Sequence, residues 1–264
     1  MARIPSFGII GTGMLGEAMM LAVAHADIVT SGGLWAANRS GTNPKLAELG
    51  VTVTSDIGAL LDACDTILLC VPPNATQNVI VPAQDKLVLS VMAGTTVSRL
   101  AELTGSSHIV RAMSSPAAAQ SLAFSPWIAG PTMSHDDKAT VVTLLEACGT
   151  QMRVETEHHL DVFTAITGPV PGFVAAFAAS VQKFAQSEGV PSDIAQQAVR
   201  QLFLAGGHAL MEAASEPQAF VDEMIDYDGT TAAGLRALRD GPLEQAVAEA
   251  LQAAVKKTKT IAPD

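Results

Sequence analysis

Basic residues and cysteines are scarce in this sequence, and each shortage excludes a class of function. The 264 residues include 15 Lys and Arg against 26 Asp and Glu, which gives a formal net charge of -11. Because this field repels a phosphate backbone, nucleic acid is not an expected partner. The cysteines, Cys64, Cys70 and Cys148, show no C-x-x-C spacing. They therefore support neither disulfides nor structural zinc, and they indicate a reducing, cytoplasmic compartment.

Targeting signals are also lacking. The N-terminus runs through Arg3 directly into an apolar strand pattern, without the charged, apolar and cleavage regions of a signal peptide. One stretch, residues 164–181, is almost long enough for a membrane span. It is interrupted by Gly168, Pro169, Pro171 and Gly172. We therefore predict a buried helix that is kinked near its start, and no membrane partner.

Aromatic residues make up only 4% of the chain, whereas hydrophobic residues overall reach 48%, so the core is built mainly from Ala, Leu and Val. Such a composition suits closely packed helices and βαβ units. In the first half, short apolar runs alternate with helical stretches. Several of these runs do not alternate between apolar and polar residues, which is typical of parallel strands buried on both faces. Strands are predicted over 6–11, 34–38, 51–54, 66–71, 87–92, 108–113, 127–129 and 151–154.

From about residue 157 onward, the β-branched runs stop and an Ala-rich helical periodicity takes over. Helices are predicted there over 158–187, 192–214 and 243–257. The chain is long enough for two domains. We predict an α/β fold, with a Rossmann-type doubly wound sheet in a dinucleotide-binding domain over 1–156 and an all-helical domain over 157–264.

The first predicted strand is followed at once by Gly11-Thr12-Gly13-Met14-Leu15-Gly16, a G-x-G-x-x-G sequence. The first glycine permits a tight turn, the second lets backbone approach a pyrophosphate, and the third lets helix and strand pack closely. The helix N-terminus then attracts phosphate charge. A glycine-rich structural turn is the alternative, but a strand before the motif and a helix after it favour a dinucleotide site.

The end of the second predicted strand indicates which dinucleotide is bound. NAD-binding sites place a carboxylate there to hold the ribose 2′-hydroxyl. This sequence has Ala37-Asn38-Arg39-Ser40 instead. A guanidinium and a hydroxyl suit the 2′-phosphate of NADP, because Arg makes charge-assisted, bidentate contacts to phosphate. We expect Asn38, Arg39 and Ser40 to favour NADPH over NADH, with a solvated Arg39 as the alternative.

Several motifs resemble those of the pyrroline-5-carboxylate reductase family, which reduces a cyclic imine to proline with NAD(P)H. They keep the family's order along most of the chain. The nucleotide motif over 7–18 and the strand end at Asn38 are shared with other reductases. The more particular matches are Ser90-Val91-Met92-Ala93-Gly94, Val110-Arg111-Ala112-Met113, the set Asp161, Thr164, Ala165 and Gly168, and residues 228–235.

This resemblance implies an eight-stranded Rossmann domain and a helical domain that interleaves with a partner chain. It also implies an active site at the dimer interface, in a homodimer or a larger assembly of dimers. Ala93 and Gly94 would lie beside the nicotinamide. We add Val71, Pro72 and Pro73, which end or follow the fourth predicted strand, to the expected cofactor contacts.

Three motifs depart from the family where substrate is expected to bind. The family's S-G-S-G-P-A-Y becomes residues 167–173, its M-P-N-T-P becomes 113–117, and its S-P-G-G-T-T becomes Asp226-Tyr227-Asp228-Gly229-Thr230-Thr231. In the family, that last loop receives the substrate carboxylate. Two aspartates there would repel it, unless they point away or a partner chain's Arg or Lys neutralises them. We therefore expect an imine that lacks the carboxylate or bears a cation.

The same loop supplies the expected catalytic groups. Thr231 is the first choice for a hydrogen bond to the imine nitrogen, and Thr230 contacts the substrate or caps the helix. Asp226 or Asp228 would favour a protonated imine, although both aspartates could instead be N-caps of the helix that begins near Thr231. Tyr227 is the only tyrosine, and it could donate a proton or simply pack.

Thr167 and Gly168 are expected to contact the substrate as well. His158 and His159 lack matching ligands, so we predict no metal. Two other functions stay open. A β-hydroxyacid dehydrogenase would need a catalytic lysine in the helical part, where residues 151–250 contain only Lys183. A dinucleotide-binding module without turnover would also tolerate the altered motifs.

Overall fold

The structure is a computed structural model that describes residues 3–72 and 81–261. The chain divides into two compact units, Met1–Thr167 with Val255–Asp264, and Gly168–Ala254. Residues 157–167 thus group with the sheet of the first unit, whereas the boundary predicted from sequence assigns them to the helical domain. The division into domains at residue 156 stays a prediction.

One eight-stranded sheet forms the centre of the first unit. Its strands are β1 Phe7–Ile10, β2 Leu34–Ala37, β3 Thr52–Thr54, β4 Thr66–Leu69, β5 Leu87–Ser90, β6 Ile109–Ala112, β7 Ala123–Ala129 and β8 Gly149–Arg153. Their order is β3-β2-β1-β4-β5-β6-β7-β8. All neighbours are parallel except β6 and β7. The predicted doubly wound sheet is confirmed, and β7 begins earlier than predicted.

Alternate residues of the central strands enter two separate hydrophobic clusters. Phe7 and Ile9 of β1 lie in one cluster, and Ile10 lies in the other. Likewise, Leu68 belongs to the first cluster and Leu69 to the second. Both faces of the sheet are therefore buried, which explains why these runs are apolar without alternation.

Most helices of the first unit alternate with its strands along the chain. The first unit contains α1 Met14–His25, α2 Pro44–Glu48, α3 Ile57–Ala63, α4 Val97–Thr104, a 3-10 turn Pro116–Gln120, α5 His135–Ala147 and α6 Glu157–Thr167. Helices α2, α3, α4 and α5 each begin at an N-cap residue whose side chain accepts a hydrogen bond from a backbone amide of the first turn. These caps are Asn43, Asp56, Thr96 and Ser134.

The second unit is helical, as predicted. It contains α7 Val170–Ser187, α8 Ser192–Glu212, α9 Pro217–Asp226, α10 Thr230–Arg239 and most of α11 Leu243–Ile261. The helix predicted over 158–187 is broken at 168–169, where glycine and proline occur together. Glu157–Ser187 is still long and apolar enough to cross a membrane by composition. The prediction of a buried helix over 164–181 is wrong for α7, which has no buried residue within this chain, whereas Thr164 and Ala165 near the end of α6 are buried.

Candidate active site

The fingerprint turn lies where the winding of the sheet reverses. β1 pairs in parallel with β2 on one side and with β4 on the other. Strands β2 and β3 extend the sheet in one direction from β1, and β4 to β8 extend it in the other. In open α/β sheets, ligands bind at this switch point, outside the carboxyl ends of the strands. Gly11, Thr12 and Gly13 lead from that end of β1 into α1.

The three glycines of the motif have different surroundings. Gly11 has a φ of +102°, and a Cβ there would lie 2.3 Å from the Cys70 carbonyl oxygen. A Cβ on Gly16 would lie 2.0 Å from the Gly11 carbonyl oxygen. By contrast, a Cβ on Gly13 would meet nothing within 4 Å. The turn is closed toward β4 and α1 and open at Gly13, as a pyrophosphate cradle must be.

Helix α1 begins without a side-chain cap. Its N-cap is Gly13, which offers no hydroxyl or carboxylate to the amides of the first turn. Met14 is 79% exposed, whereas Leu15 packs against the core. The free amides and the positive end of the helix dipole suit a bound phosphate. These residues therefore fit the pyrophosphate of a dinucleotide.

Glu17 holds the loop after β2 against α1. Its carboxylate accepts hydrogen bonds from Asn43 at 2.7 Å and from Lys45 at 3.0 Å. These two contacts lower the pKa of Glu17 despite the opposing effect of burial. The carboxylate stays ionised, and Lys45 offsets its charge.

Asn38 joins the end of β2 to the fingerprint turn. Its side-chain amide donates to Thr12 Oγ1 at 2.8 Å and to the Thr42 carbonyl oxygen at 2.9 Å. Its Oδ1 accepts from the Ser40 hydroxyl at 3.0 Å. Arg39 is exposed and, over residues 3–72 and 81–261, has no hydrogen-bond or ion-pair partner. A free guanidinium on an ordered turn is available to a phosphate.

The turn after β4 borders the fingerprint turn. A Cβ on Gly11 would lie 3.1 Å from Val71 Cγ1, so Val71 lies against the start of the motif. Pro72 is exposed, next to Val71 in the chain. Pro73, the third expected cofactor contact here, lies outside the described residues.

The turn after β5 is shaped by a left-handed glycine. Ser90 ends β5 and accepts a hydrogen bond from the Met92 amide at 3.2 Å. Ala93 and Gly94 follow, both partly exposed, and Gly94 has a φ of +76°. Because β4 and β5 are parallel neighbours, this turn lies on the same edge of the sheet as Val71.

A buried ion cluster beside this edge was not foreseen from sequence. Arg111 in β6 is 1% exposed and donates from Nη1 to Glu157 Oε1 at 3.0 Å and from Nη2 to Asp161 Oδ1 at 2.5 Å. Glu157 Oε1 also accepts from the Val97 amide at 3.0 Å. Two signals point to this cluster: an arginine inside an apolar strand, and two acids one helical turn apart.

The segment from Asp226 to Thr231 forms the corner between α9 and α10. Asp226 ends α9, Gly229 is the N-cap of α10, and Thr230 and Thr231 open α10 with exposed side chains. No side chain caps α10. The alternative that Asp226 and Asp228 are N-caps is therefore wrong.

Asp228 takes the place of a glycine in the family motif and keeps a left-handed backbone, with a φ of +50°. Aspartate tolerates this conformation better than most residues. Its Oδ1 accepts from Arg236 Nη1 at 3.0 Å. From the sequence, an Arg or Lys that neutralises this aspartate was expected only from a partner chain, but Arg236 belongs to the same helix as Thr231. Tyr227, between the two aspartates, is 91% exposed.

Thr167 and Gly168 occupy the end of α6 and the break before α7. The Thr167 hydroxyl donates to the Phe163 carbonyl oxygen at 2.9 Å, so its hydrogen is committed to the helix. Its oxygen keeps capacity to accept. Gly168 is exposed.

Thiols and metal ligands are the other chemically active groups of the chain. Burial raises the pKa of Cys64, Cys70 and Cys148 to about 12, although Lys86 acts against this shift at Cys64. These thiols are therefore poor nucleophiles. Within the described part of the chain, no group of three or more His, Cys, Asp or Glu is placed to hold a metal ion.

Two family models match the chain. The model described as pyrroline-5-carboxylate reductase dimerisation matches residues 157–261. The model described as NADP oxidoreductase, coenzyme F420-dependent, matches residues 6–94. The first match spans the exposed helix α7, and the second spans the fingerprint turn, the end of β2 and the Ala93–Gly94 turn.

Relatives match over nearly the whole chain. Pyrroline-5-carboxylate reductase 2 of Bacillus subtilis (strain 168) is 29% identical over 263 residues, which cover 96% of this chain and 94% of the relative. Pyrroline-5-carboxylate reductase of Aquifex aeolicus is 25% identical and covers 96% of each chain.

Solved structures agree in fold. Plasmodium falciparum pyrroline carboxylate reductase with NADP bound has a TM-score of 0.83, 24% identity and coverage of 100% of both chains. Pyrroline-5-carboxylate reductase of Coxiella burnetii has a TM-score of 0.87 and 21% identity, over 99% of this chain and 100% of that one. Both share the Rossmann-type sheet with its helical second part.

Proposed function

We propose that the chain is a member of the pyrroline-5-carboxylate reductase family and that it reduces the C=N bond of a small cyclic imine with NADPH. It is an NAD(P)H-dependent oxidoreductase acting on a CH-NH bond, the reaction class of the pyrroline-5-carboxylate reductases to which it is similar. The observation that carries the proposal is the cradle of 11–16, closed by protein on one side and open at Gly13. It lies at the switch point of the sheet.

NADP is the cofactor, and we assign its 2′-phosphate to the end of β2. Arg39 is free there, Asn38 fixes the turn, and Ser40 adds a hydroxyl. The absence of a carboxylate at this strand end and the presence of a guanidinium support a preference for NADPH. Gly13 and the amides of α1 would hold the pyrophosphate.

The bound cofactor supplies a hydride from C4 of its nicotinamide. The residues of the chain need only position the imine and keep its nitrogen protonated, since protonation makes the neighbouring carbon electrophilic. We assign the hydrogen bond to that nitrogen to Thr231, whose hydroxyl is exposed at the start of α10. Tyr227 is a second candidate donor, because its ring is 91% exposed and free of packing.

We propose that the substrate carries less negative charge than pyrroline-5-carboxylate at the end facing this corner. Arg236 pairs with Asp228, but both side chains are exposed, so the ion pair offsets the charge of Asp228 only in part. Asp226 has no ion-pair partner among residues 3–72 and 81–261. Its carboxylate would repel an anion and attract an iminium. Thr230, Asp228, Thr167 and Gly168 complete the proposed substrate contacts.

We also propose a cytoplasmic homodimer, or a larger assembly of dimers, built through the helical unit. Apolar side chains that a monomer would leave in water support this assembly. They lie on α7 and α8 and include Phe177, Phe184, Leu202 and Leu204. The match to a dimerisation model over 157–261 covers both helices. Three free cysteines support a reducing compartment.

Initial rates of NADPH oxidation with a panel of cyclic imines test this function. The panel sets pyrroline-5-carboxylate beside 1-pyrroline and a ring that bears a cation, each also with NADH. We expect turnover of 1-pyrroline with NADPH above that of pyrroline-5-carboxylate. Turnover of pyrroline-5-carboxylate alone would contradict the proposed substrate class, and equal rates with NADH would contradict the cofactor preference.

A further inference from the structure

Glu157 connects three segments of the first unit through one carboxylate oxygen. Its Oε1 accepts from Arg111 Nη1 in β6 at 3.0 Å and from the Val97 amide in α4 at 3.0 Å. Glu157 itself opens α6. One atom therefore links the start of α4, the middle of β6 and the start of α6.

Arg111 makes this link rigid. Its side chain is 1% exposed, and burial of an unpaired guanidinium would be very costly. Glu157 and Asp161 both pair with it, through separate nitrogens. Its Nε has no hydrogen-bond partner among the described residues, so the two carboxylates are the only hydrogen-bond acceptors of its guanidinium there. The guanidinium thus cannot release Glu157 without leaving a buried charge undercompensated.

Val97 is the residue of this hydrogen-bonded group that lies nearest in the chain to the Ala93–Gly94 turn. It is the first residue of α4, directly after the N-cap Thr96. The chain between Gly94 and Val97 is only two residues long, Thr95 and Thr96, and Thr95 is buried. Gly94 has a left-handed backbone, with a φ of +76°, which glycine adopts without strain, so contacts at the two ends of the turn set its position. Ser90 fixes one end through the Met92 amide, and Glu157 fixes the other.

We propose that Glu157 is a positioning residue for hydride transfer: held by Arg111, it fixes the Ala93–Gly94 turn through the Val97 amide. The proposal rests on the proposed imine reduction and on the family resemblance, which implies that this turn lies beside the nicotinamide. Glu157 does not touch the reacting atoms in this account. Its removal shifts the turn, and a displacement of about 1 Å costs about a hundredfold in rate.

Three variants test this role. Glu157→Ala removes the acceptor for both donors, whereas Glu157→Gln keeps an oxygen that accepts from the Val97 amide. Val97→Pro removes the amide hydrogen and keeps an apolar side chain at the edge of the core, and its backbone is compatible, since proline is favoured at the first position of a helix and Thr96 already has an extended backbone, with ψ 161°. Arg111 keeps both carboxylates in Val97→Pro.

Asp161→Ala is the matched control, because Asp161 contacts Arg111 but not Val97. Glu102→Ala removes an exposed carboxylate from α4 itself, away from the turn. Each protein is measured for kcat and KM with an imine, for NADPH affinity, and for the primary isotope effect with NADPH deuterated at C4. Thermal unfolding of the intact enzyme reports stability separately.

We expect Glu157→Ala and Val97→Pro to lower kcat by about ten- to a hundredfold. The isotope effect on kcat should rise in both, because hydride transfer becomes the slow step. KM and NADPH affinity should change less than about threefold, and Glu157→Gln should recover most of the rate. Asp161→Ala should lower the melting temperature while its rate stays closer to that of the unchanged protein.

Unchanged kcat and isotope effect in Val97→Pro would overturn the proposal, even if Glu157→Ala fails to fold. An equal loss of kcat in Asp161→Ala and Glu157→Ala would also overturn it, since that pattern marks a purely structural cluster. An unchanged protein that reduces no imine would instead be a failure of the proposed function.

Discussion

Arg236 holds Asp228 in an ion pair on one edge of α10, with 3.0 Å between Nη1 and Oδ1. The same guanidinium donates to the Ile225 carbonyl oxygen, so it fastens α10 to the end of α9. Asp226, one residue past Ile225, has no such counter-charge over the described ranges 3–72 and 81–261. The uncompensated negative charge of this corner, which we propose faces the substrate, is therefore mainly that of Asp226.

Asp226→Ser restores the residue of the family motif and removes this charge. We expect kcat/KM for pyrroline-5-carboxylate to rise about five- to tenfold, because repulsion between exposed charges a few ångströms apart costs about 1 kcal/mol. Steady-state rates with pyrroline-5-carboxylate and with neutral 1-pyrroline give the comparison. Asp222→Ser, another exposed acid on α9, is the control. The same gain with both substrates, or in the control, would rule out a charge effect.

Gly13→Ala and Gly16→Ala should fail in different ways. A Cβ on Gly13 enters the open side of the cradle, so we expect NADPH affinity to fall at least about tenfold with little change in melting temperature. A Cβ on Gly16 meets the Gly11 carbonyl oxygen, so this variant should lose stability even without cofactor. Fluorescence titration with NADPH and thermal unfolding separate the two effects. Unchanged affinity in Gly13→Ala would place the dinucleotide elsewhere.

Arg39→Ala should weaken NADPH selectively. The guanidinium is exposed and forms no hydrogen bond or ion pair within the described part of the chain, so its loss should leave the fold unchanged. Charge-assisted hydrogen bonds are worth about 1.5–3 kcal/mol, which corresponds to a rise of about ten- to a hundredfold in KM for NADPH. KM for NADH should stay the same. Lys45→Ala, a nearby exposed cation that pairs with Glu17, is the control; a matching loss there would indicate general attraction rather than phosphate recognition.

Asp137 should make the start of α5 sensitive to acid. Burial acts to raise the pKa of Asp137, but hydrogen bonds from Ser134 and His108 outweigh it and hold that pKa below 3.8. A lowered pKa in the folded state stabilises the fold at pH values above 3.8, and this contribution is lost as the pH falls through the folded value.

Asp137→Asn tests this contribution. At neutral pH, loss of the charged partner in the capping box should lower the melting temperature by roughly 2–4 °C. Denaturant unfolding between pH 6 and pH 3 should show the difference narrowing below pH 3.8. Asp136→Asn, a neighbouring and fully exposed acid, should show no such trend. A constant difference across this range would mean that packing, not ionisation, accounts for the loss.

Local patterns were sufficient for the fold and the cofactor turn. Strands buried on both faces leave a continuous apolar signal, the glycines at 11 and 16 meet a steric need within the protein, and Gly13 keeps one side of the turn open, as the spacing of the motif predicts. The burial of α7 was misjudged because an apolar helix carries the same pattern whether a core or a second chain covers it.

Contacts between residues that are distant in the chain could not be predicted from the sequence. Arg111 meets Glu157 and Asp161 only after β6 and α6 have packed in the first unit, and no local spacing records that meeting. The ion pair between Asp228 and Arg236 joins residues that are close in the chain, but it was also missed. It depends on the start of α10 at Thr230 and on the left-handed backbone of Asp228, and the sequence motif shows neither.

Transfer of deuterium from the cofactor to the substrate is the most direct test of imine reduction by this protein. The protein is incubated with NADPH that carries deuterium at both C4 positions and with 1-pyrroline, and the amine is analysed by mass spectrometry and NMR. We predict an amine with one deuterium, at the former imine carbon, and none without protein. Absence of deuterated amine with 1-pyrroline, pyrroline-5-carboxylate and the cationic imine alike, under conditions where NADPH binds, would contradict the assignment as an imine reductase.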